Sequence, residues 1–243
     1  MGHRPRQERL HPDWDYIAKL GLDPEHIAAN ELHGRRPLID LTYALRVQDP
    51  ALTNTFALVQ DLVQHEVPPG QYFTPTTDFH ITLYTHMYAD DSFQNCDVTP
   101  ETKAIKMPEY HAFANRQIAD IIKPHAPLQI TYRSIIITPD SIIAVADDDG
   151  SFQKLRQDLV KHGNLHGYYD HRDARTVYPN IIHTTLVRFI TFVPISIRQR
   201  LHQRITELLP LDMPITLREI EYRLFDVYGE FPEGQPLETI SLT

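Results

Sequence analysis

One short pattern occurs twice in this chain and limits what it can fold into. Asp78-Phe79-His80-Ile81-Thr82-Leu83-Tyr84 and Ile181-Ile182-His183-Thr184-Thr185-Leu186-Val187-Arg188 both carry His-x-Thr-Leu. Each lies in a β-branched, apolar run, which reads as a strand, and each follows a helical pattern. Strand side chains alternate between two faces, so His80, Thr82 and Tyr84 fall on one face and Phe79, Ile81 and Leu83 on the other. The second copy places His183, Thr185 and Val187 together, opposite Ile182, Thr184 and Leu186. Strict alternation sets Arg188 opposite His183; only a bulge or a strand end brings it round.

Nineteen prolines punctuate the remaining elements. Residues 1–36 read as an N-terminal extension in which Asp13-Trp14-Asp15-Tyr16-Ile17 starts a short helix packed on the body, and residues 37–243 form the main unit. Leu38 to Val47 is strand-like. Leu52, Phe56, Val59 and Val63 mark an amphipathic helix stopped by Pro68-Pro69-Gly70. A polar excursion from Met87 to Met107 precedes a helix over Pro108 to Ile122. Leu128–Ile137 and Ile142–Val145 form a hairpin at Pro139-Asp140. Asp147-Asp148-Asp149-Gly150 lacks calcium-loop spacing and reads as the acidic start of a helix over Ser151 to Lys161. Ile197, Leu201, Ile205 and Leu208 mark a last helix, and strands follow at Ile215–Val227 and Leu237–Leu242. Hairpin neighbours among these strands imply largely antiparallel sheets in an α+β fold.

Composition excludes several classes. No apolar run is long enough to span a membrane, and Met1 to Leu10 is polar and basic, unlike a secretory signal. Cys96 is the sole cysteine, which rules out an internal disulfide and a cysteine-based zinc site and suits a reducing cytoplasm. The net charge of −9 disfavours a protein that coats long nucleic acid but not one that holds a small phosphate ester with a few local cations.

Two histidines on matching strands suit phosphodiester chemistry, which needs a base for the attacking water and an acid for the departing oxygen. Thr82 and Thr185, two residues along, can donate hydrogen bonds to non-bridging phosphate oxygens. No metal or other cofactor is required.

These residues resemble the 2H phosphoesterase superfamily, named for paired His-x-Thr/Ser motifs, which includes the bacterial RNA 2′,3′-cyclic phosphodiesterases once called 2′-5′ RNA ligases. His80/Thr82 and His183/Thr185 match those motifs, and Leu186 with Arg188 matches the longer His-x-Thr-Leu-x-Arg form. The resemblance covers Pro37 to the C-terminus. It implies a bilobal fold, with two pseudo-symmetric, mostly antiparallel sheets and flanking helices around a central cleft. It also implies a cyclic phosphate or phosphodiester of a nucleotide or RNA end as substrate. The N-terminal extension and the segments Met87–Met107 and Asn164–Asn180 are additional to the compact pattern.

The expected catalytic residues are His80, His183, Thr82 and Thr185. Tyr84, Arg188, Tyr168 and Arg172 are candidate substrate contacts, the last two from an aromatic and basic loop entering the second motif. The protein is expected to act as a monomer. A non-catalytic nucleotide-binding module with the same cleft is the alternative. A histidine-ligated metallohydrolase lacks the required ligand spacing.

Overall fold

A computed structural model describes residues 12–21, 37–87, 118–165, 181–208, 211–227 and 238–242. Helix α1, Trp14–Gly21, begins where the Asp13 carboxylate accepts from the Tyr16 amide at 3.0 Å. Strand β1, Pro37–Arg46, leads to helix α2, Pro50–Gln64. Asp49 caps α2 by accepting from the Leu52 amide at 2.9 Å, and Pro50 sits at the first turn, where no amide hydrogen is needed. The four apolar residues expected to face inward, Leu52, Phe56, Val59 and Val63, are all fully buried. Each such side chain contributes roughly 1.5–3 kcal/mol of burial. The helix ends at Gln64, one turn before the proline pair.

Strand β2 is the short pair Tyr72–Phe73, which sequence periodicity did not indicate, and β3 is His80–Met87. Of the helix expected over Pro108–Ile122, only its end, α3 at Ala119–Ile122, lies within the described residues. The expected hairpin is present as β4, Leu128–Ile137, and β5, Ser141–Asp147. Helix α4, Ser151–Leu165, starts on the acidic run. Asp149 accepts from the Ser151 amide at 2.9 Å and Asp148 from the Phe152 amide at 2.7 Å. Gly150 makes the entry turn with φ of 102°, a conformation that side-chain-bearing residues avoid. Strand β6, Ile182–Arg188, and helix α5, Ile195–Leu208, follow.

The run read as one strand over Ile215–Val227 is two. Strand β7, Met213–Leu217, and β8, Glu219–Val227, join different sheets, and the chain crosses between them at Arg218. The apolar positions run Met213, Ile215 and Leu217 and then Ile220, Tyr222 and Leu224, so the alternation slips by one residue at Arg218-Glu219, where the chain changes sheet. The Arg218 carbonyl accepts from the Leu242 amide at 2.7 Å, beside the last strand, β9, Glu238–Ser241.

Two antiparallel sheets result, in the order β3-β1-β8-β9 and β2-β6-β5-β4-β7, with helices packed on them in an α+β fold. Each motif strand thus lies in a different sheet, and β3 runs beside β6 where the sheets meet. Trp14 and Ile17 seat α1 on α5; the Trp14 ring meets His202 edge-on at 5.5 Å. Among the described residues, no helix is long and apolar enough to cross a membrane.

Candidate active site

The motif strands share one irregularity at the same place. Pairing of β3 with β1 runs Arg46 to His80, Leu45 to Ile81 and Ala44 to Thr82, then skips Leu83 before Tyr43 meets Tyr84. Pairing of β6 with β5 runs Val145 to His183, Ala144 to Thr184 and Ile143 to Thr185, then skips Leu186 before Ile142 meets Val187. Both copies of His-x-Thr-Leu therefore end in a β-bulge at the leucine.

In β6 the bulge decides the position of Arg188. Ile182, Thr184, Leu186 and Val187 are buried, whereas His183, Thr185 and Arg188 are half-buried. The extra residue lets two consecutive apolar side chains face the core and turns Arg188 to the side of His183. Its charge opposes protonation of both histidines. Thr184, polar among the buried set, is satisfied by the Tyr132 hydroxyl at 2.6 Å. Around the first motif, Phe79, just before β3, and Ile81 and Leu83 within it are buried, and His80 and Thr82 are half-buried. The pleat that assigned Tyr84 to the face of His80 is interrupted at Leu83, and the Tyr84 side chain lies outside the described structure, as do Tyr168 and Arg172.

His80 is held by its own entry loop. Its Nδ1 lies 2.7 Å from the Asp78 carbonyl oxygen. A carbonyl only accepts, so Nδ1 carries the proton and the lone pair of the neutral ring is on Nε2. Arg46, opposite His80, donates to the Thr77 carbonyl at 2.8 Å and pairs with Asp78 at 3.8 Å and Glu221 at 3.5 Å. Glu221 in turn accepts from Arg223 at 2.5 Å. None of these ion-pair residues was singled out in the sequence; a charged residue opposite a motif histidine becomes visible only with the strand register.

His183 is held differently. Its Nδ1 is buried without a hydrogen-bond partner. The Ile181 carbonyl favours the protonated ring but lies outside hydrogen-bond geometry, and it accepts from Arg156 Nη1 at 2.9 Å. Burial pushes the pKa of both rings down to about 4. For His80 the Asp78 carbonyl opposes this, and Arg188 and Arg46 reinforce it; for His183, Arg156, Arg188 and His80 itself reinforce it. The influence of His80 on His183 places the two rings within electrostatic reach of each other.

Among the described residues, no three metal-ligating side chains gather. A cavity of about 840 Å³ lined by Thr131, Arg133, Asp147, Pro214 and Thr216 opens elsewhere and contains neither motif.

No protein-family model matches the chain, and no curated protein matches it. Solved structures do. A conserved protein of unknown function from Agrobacterium tumefaciens, ATU0111, superposes with a TM-score of 0.60 at 16% identity, over 93% of this chain and 99% of that one. TT0787 of Thermus thermophilus gives 0.55 at 18% identity, over 84% and 97%. Escherichia coli LigT in its apo form gives 0.47 at 12% identity, over 85% and 98%. The first two likenesses establish a shared fold.

Proposed function

We propose that this chain is a phosphoesterase of the 2H type. In this reading it hydrolyses a cyclic phosphate or phosphodiester of a nucleotide or RNA end, as a monomer in the cytoplasm, by acid–base chemistry of His80 and His183. The observation that carries the reading is the meeting of two His-x-Thr strands from different sheets, with Arg188 acting on both rings. Water attacks phosphorus and loses its proton to one imidazole. The ester P–O bond breaks, and the departing oxygen takes a proton from the other ring, which is imidazolium at that moment. One P–O bond forms and one breaks; the two rings together hold one proton before and after, and exchange with solvent returns it to the ring that started as imidazolium. Thr82 and Thr185 donate to the non-bridging oxygens, and Arg188 offsets the charge that builds on them.

A panel of nucleoside 2′,3′-cyclic phosphates and simple diesters, assayed with and without EDTA, tests this. Turnover should persist in EDTA and fall by about 10²–10⁴-fold in His80→Ala and in His183→Ala. Full activity in either variant, with a cooperative thermal transition, would end the reading. Tight mononucleotide binding with no product anywhere in the panel would favour a binding module.

A further inference from the structure

Arg156 lies in the buried stripe of α4 with Phe152, Leu155, Leu159 and Val160, and is itself 3% exposed. Its guanidinium sits 4.6 Å over the Phe152 ring and reaches both motif strands. Nη2 donates to the Thr82 carbonyl at 2.6 Å and Nε to the Leu83 carbonyl at 3.3 Å, both in β3. Nη1 donates to the Ile181 carbonyl, at the entry to β6. A rigid planar fork thus spans the threonine and bulge leucine of one motif and the residue leading into the other. A reciprocal link comes from the other half: Gln60 Nε2, on α2, donates to the carbonyls of Leu186, the bulge of β6, and Thr74, each at 2.7 Å.

We infer that Arg156 is a positioning residue for the histidine pair: by binding carbonyls of both motif strands at once, one guanidinium sets how far His80 stands from His183. The kinetic part of this inference rests on the phosphoesterase reading; the geometric part does not. Lysine keeps a charge but has a single ammonium, whose donors cannot match the spread and direction of the fork. It should leave the strands free to shift against each other. A misplacement of about 1 Å costs on the order of 10²-fold in a reaction that needs both groups aligned.

The test compares Arg156→Lys and Arg156→Met with the full-length wild type, using turnover of a nucleoside 2′,3′-cyclic phosphate and NMR titration of the histidine rings. Arg156→Lys should fold cooperatively and lose about 100-fold in kcat with little change in KM. The groups facing His183 are Arg156 from α4, Arg188 on its own strand and His80 from β3. Accordingly, Arg156→Met should raise the His183 pKa, Arg156→Lys should keep it low, and His80 should move little in either. The titration needs no substrate. If the wild type turns over no ester while the titrations behave as stated, the phosphoesterase reading falls and the positioning role stands. Wild-type kcat in Arg156→Lys overturns the inference. So does an Arg156→Lys chain that cannot fold, which would show a role in the whole fold rather than in the pair, and so does an unaltered His183 titration in Arg156→Met.

Discussion

Arg188 and His183 stand on the same side of β6 because Leu186 is an extra residue between them in the ladder with β5. The bulge places a guanidinium where it acts on both imidazoles. If the phosphate sits there, Arg188→Ala removes charge-assisted hydrogen bonds worth about 1.5–3 kcal/mol. That corresponds to a roughly 10–150-fold weaker affinity for inorganic phosphate by calorimetry. Arg188→Lys should recover part of it, since the charge remains and the fork is lost. Unchanged phosphate affinity in Arg188→Ala would remove Arg188 from the site.

The depressed histidines make stability depend on pH in a defined window. Above about pH 6.5 both rings are neutral whether the chain is folded or not. Between 6.5 and about 4 the unfolded chain binds protons that the folded chain refuses, so stability falls as pH falls; below about 4 the loss levels off. Each ring accounts for at most about 3 kcal/mol, and less because both are only half-buried. Urea denaturation from pH 7 to 4 should show the slope. A His80→Gln/His183→Gln double variant should show a flatter one, and an identical slope in the two proteins would contradict the assignment.

Two rings with pKa values near 4 are both neutral at physiological pH, yet the proposed hydrolysis would need one of them charged. A phosphate bound between the rings would resolve this, because its negative charge favours the imidazolium form. Binding of inorganic sulfate, which mimics the phosphate charge but carries no proton at pH 6, should therefore draw a proton from solution. Calorimetry in buffers of different ionisation enthalpy measures that proton directly. Binding without proton uptake would mean that neither ring meets the anion.

The helix of Leu52, Phe56, Val59 and Val63, the central hairpin and both motif strands were legible in the sequence because each is a local pattern of burial. The matched pair of histidines was legible because it is a repeated word. Arg188 was a candidate whose side of the strand could not be fixed, since a bulge is a property of two strands in register, not of one. Arg156 gave a weaker signal that could have been read: an arginine inside an otherwise apolar helical stripe must find buried acceptors. The crossing at Arg218 left a trace that could have been read: the alternation slips by one residue where Arg218 and Glu219, both polar, follow each other.

Gln60 binds the bulge leucine of β6 as Arg156 binds that of β3. Replacing it with leucine strips a donor from the carbonyls of Leu186 and Thr74, although the Thr74 amide still reaches Leu186 at 3.1 Å. Each lost bond costs about 0.5–1.5 kcal/mol. Gln60→Leu should therefore lower stability by roughly 1–3 kcal/mol in urea, with kcat falling alongside as β6 loosens. A stable variant with normal kcat would show that the bulge holds itself.

Phe56 supports both motifs from beneath. Its ring meets Phe79, the residue before His80, edge-on at 5.4 Å, and Tyr132 at 5.3 Å. Tyr132 in turn holds Thr184, between His183 and Thr185, through its hydroxyl. Removing the ring opens a cavity under β3 and β6 together, and Phe56→Ala should cost about 3–5 kcal/mol. Phe56→Leu refills most of the volume and should cost far less. Turnover measured well below each variant's melting temperature separates two outcomes. If the aromatic contacts align the histidines, kcat falls in Phe56→Leu even where the chain is fully folded. If they supply only burial, kcat per folded molecule stays at the wild-type value while the melting temperature drops.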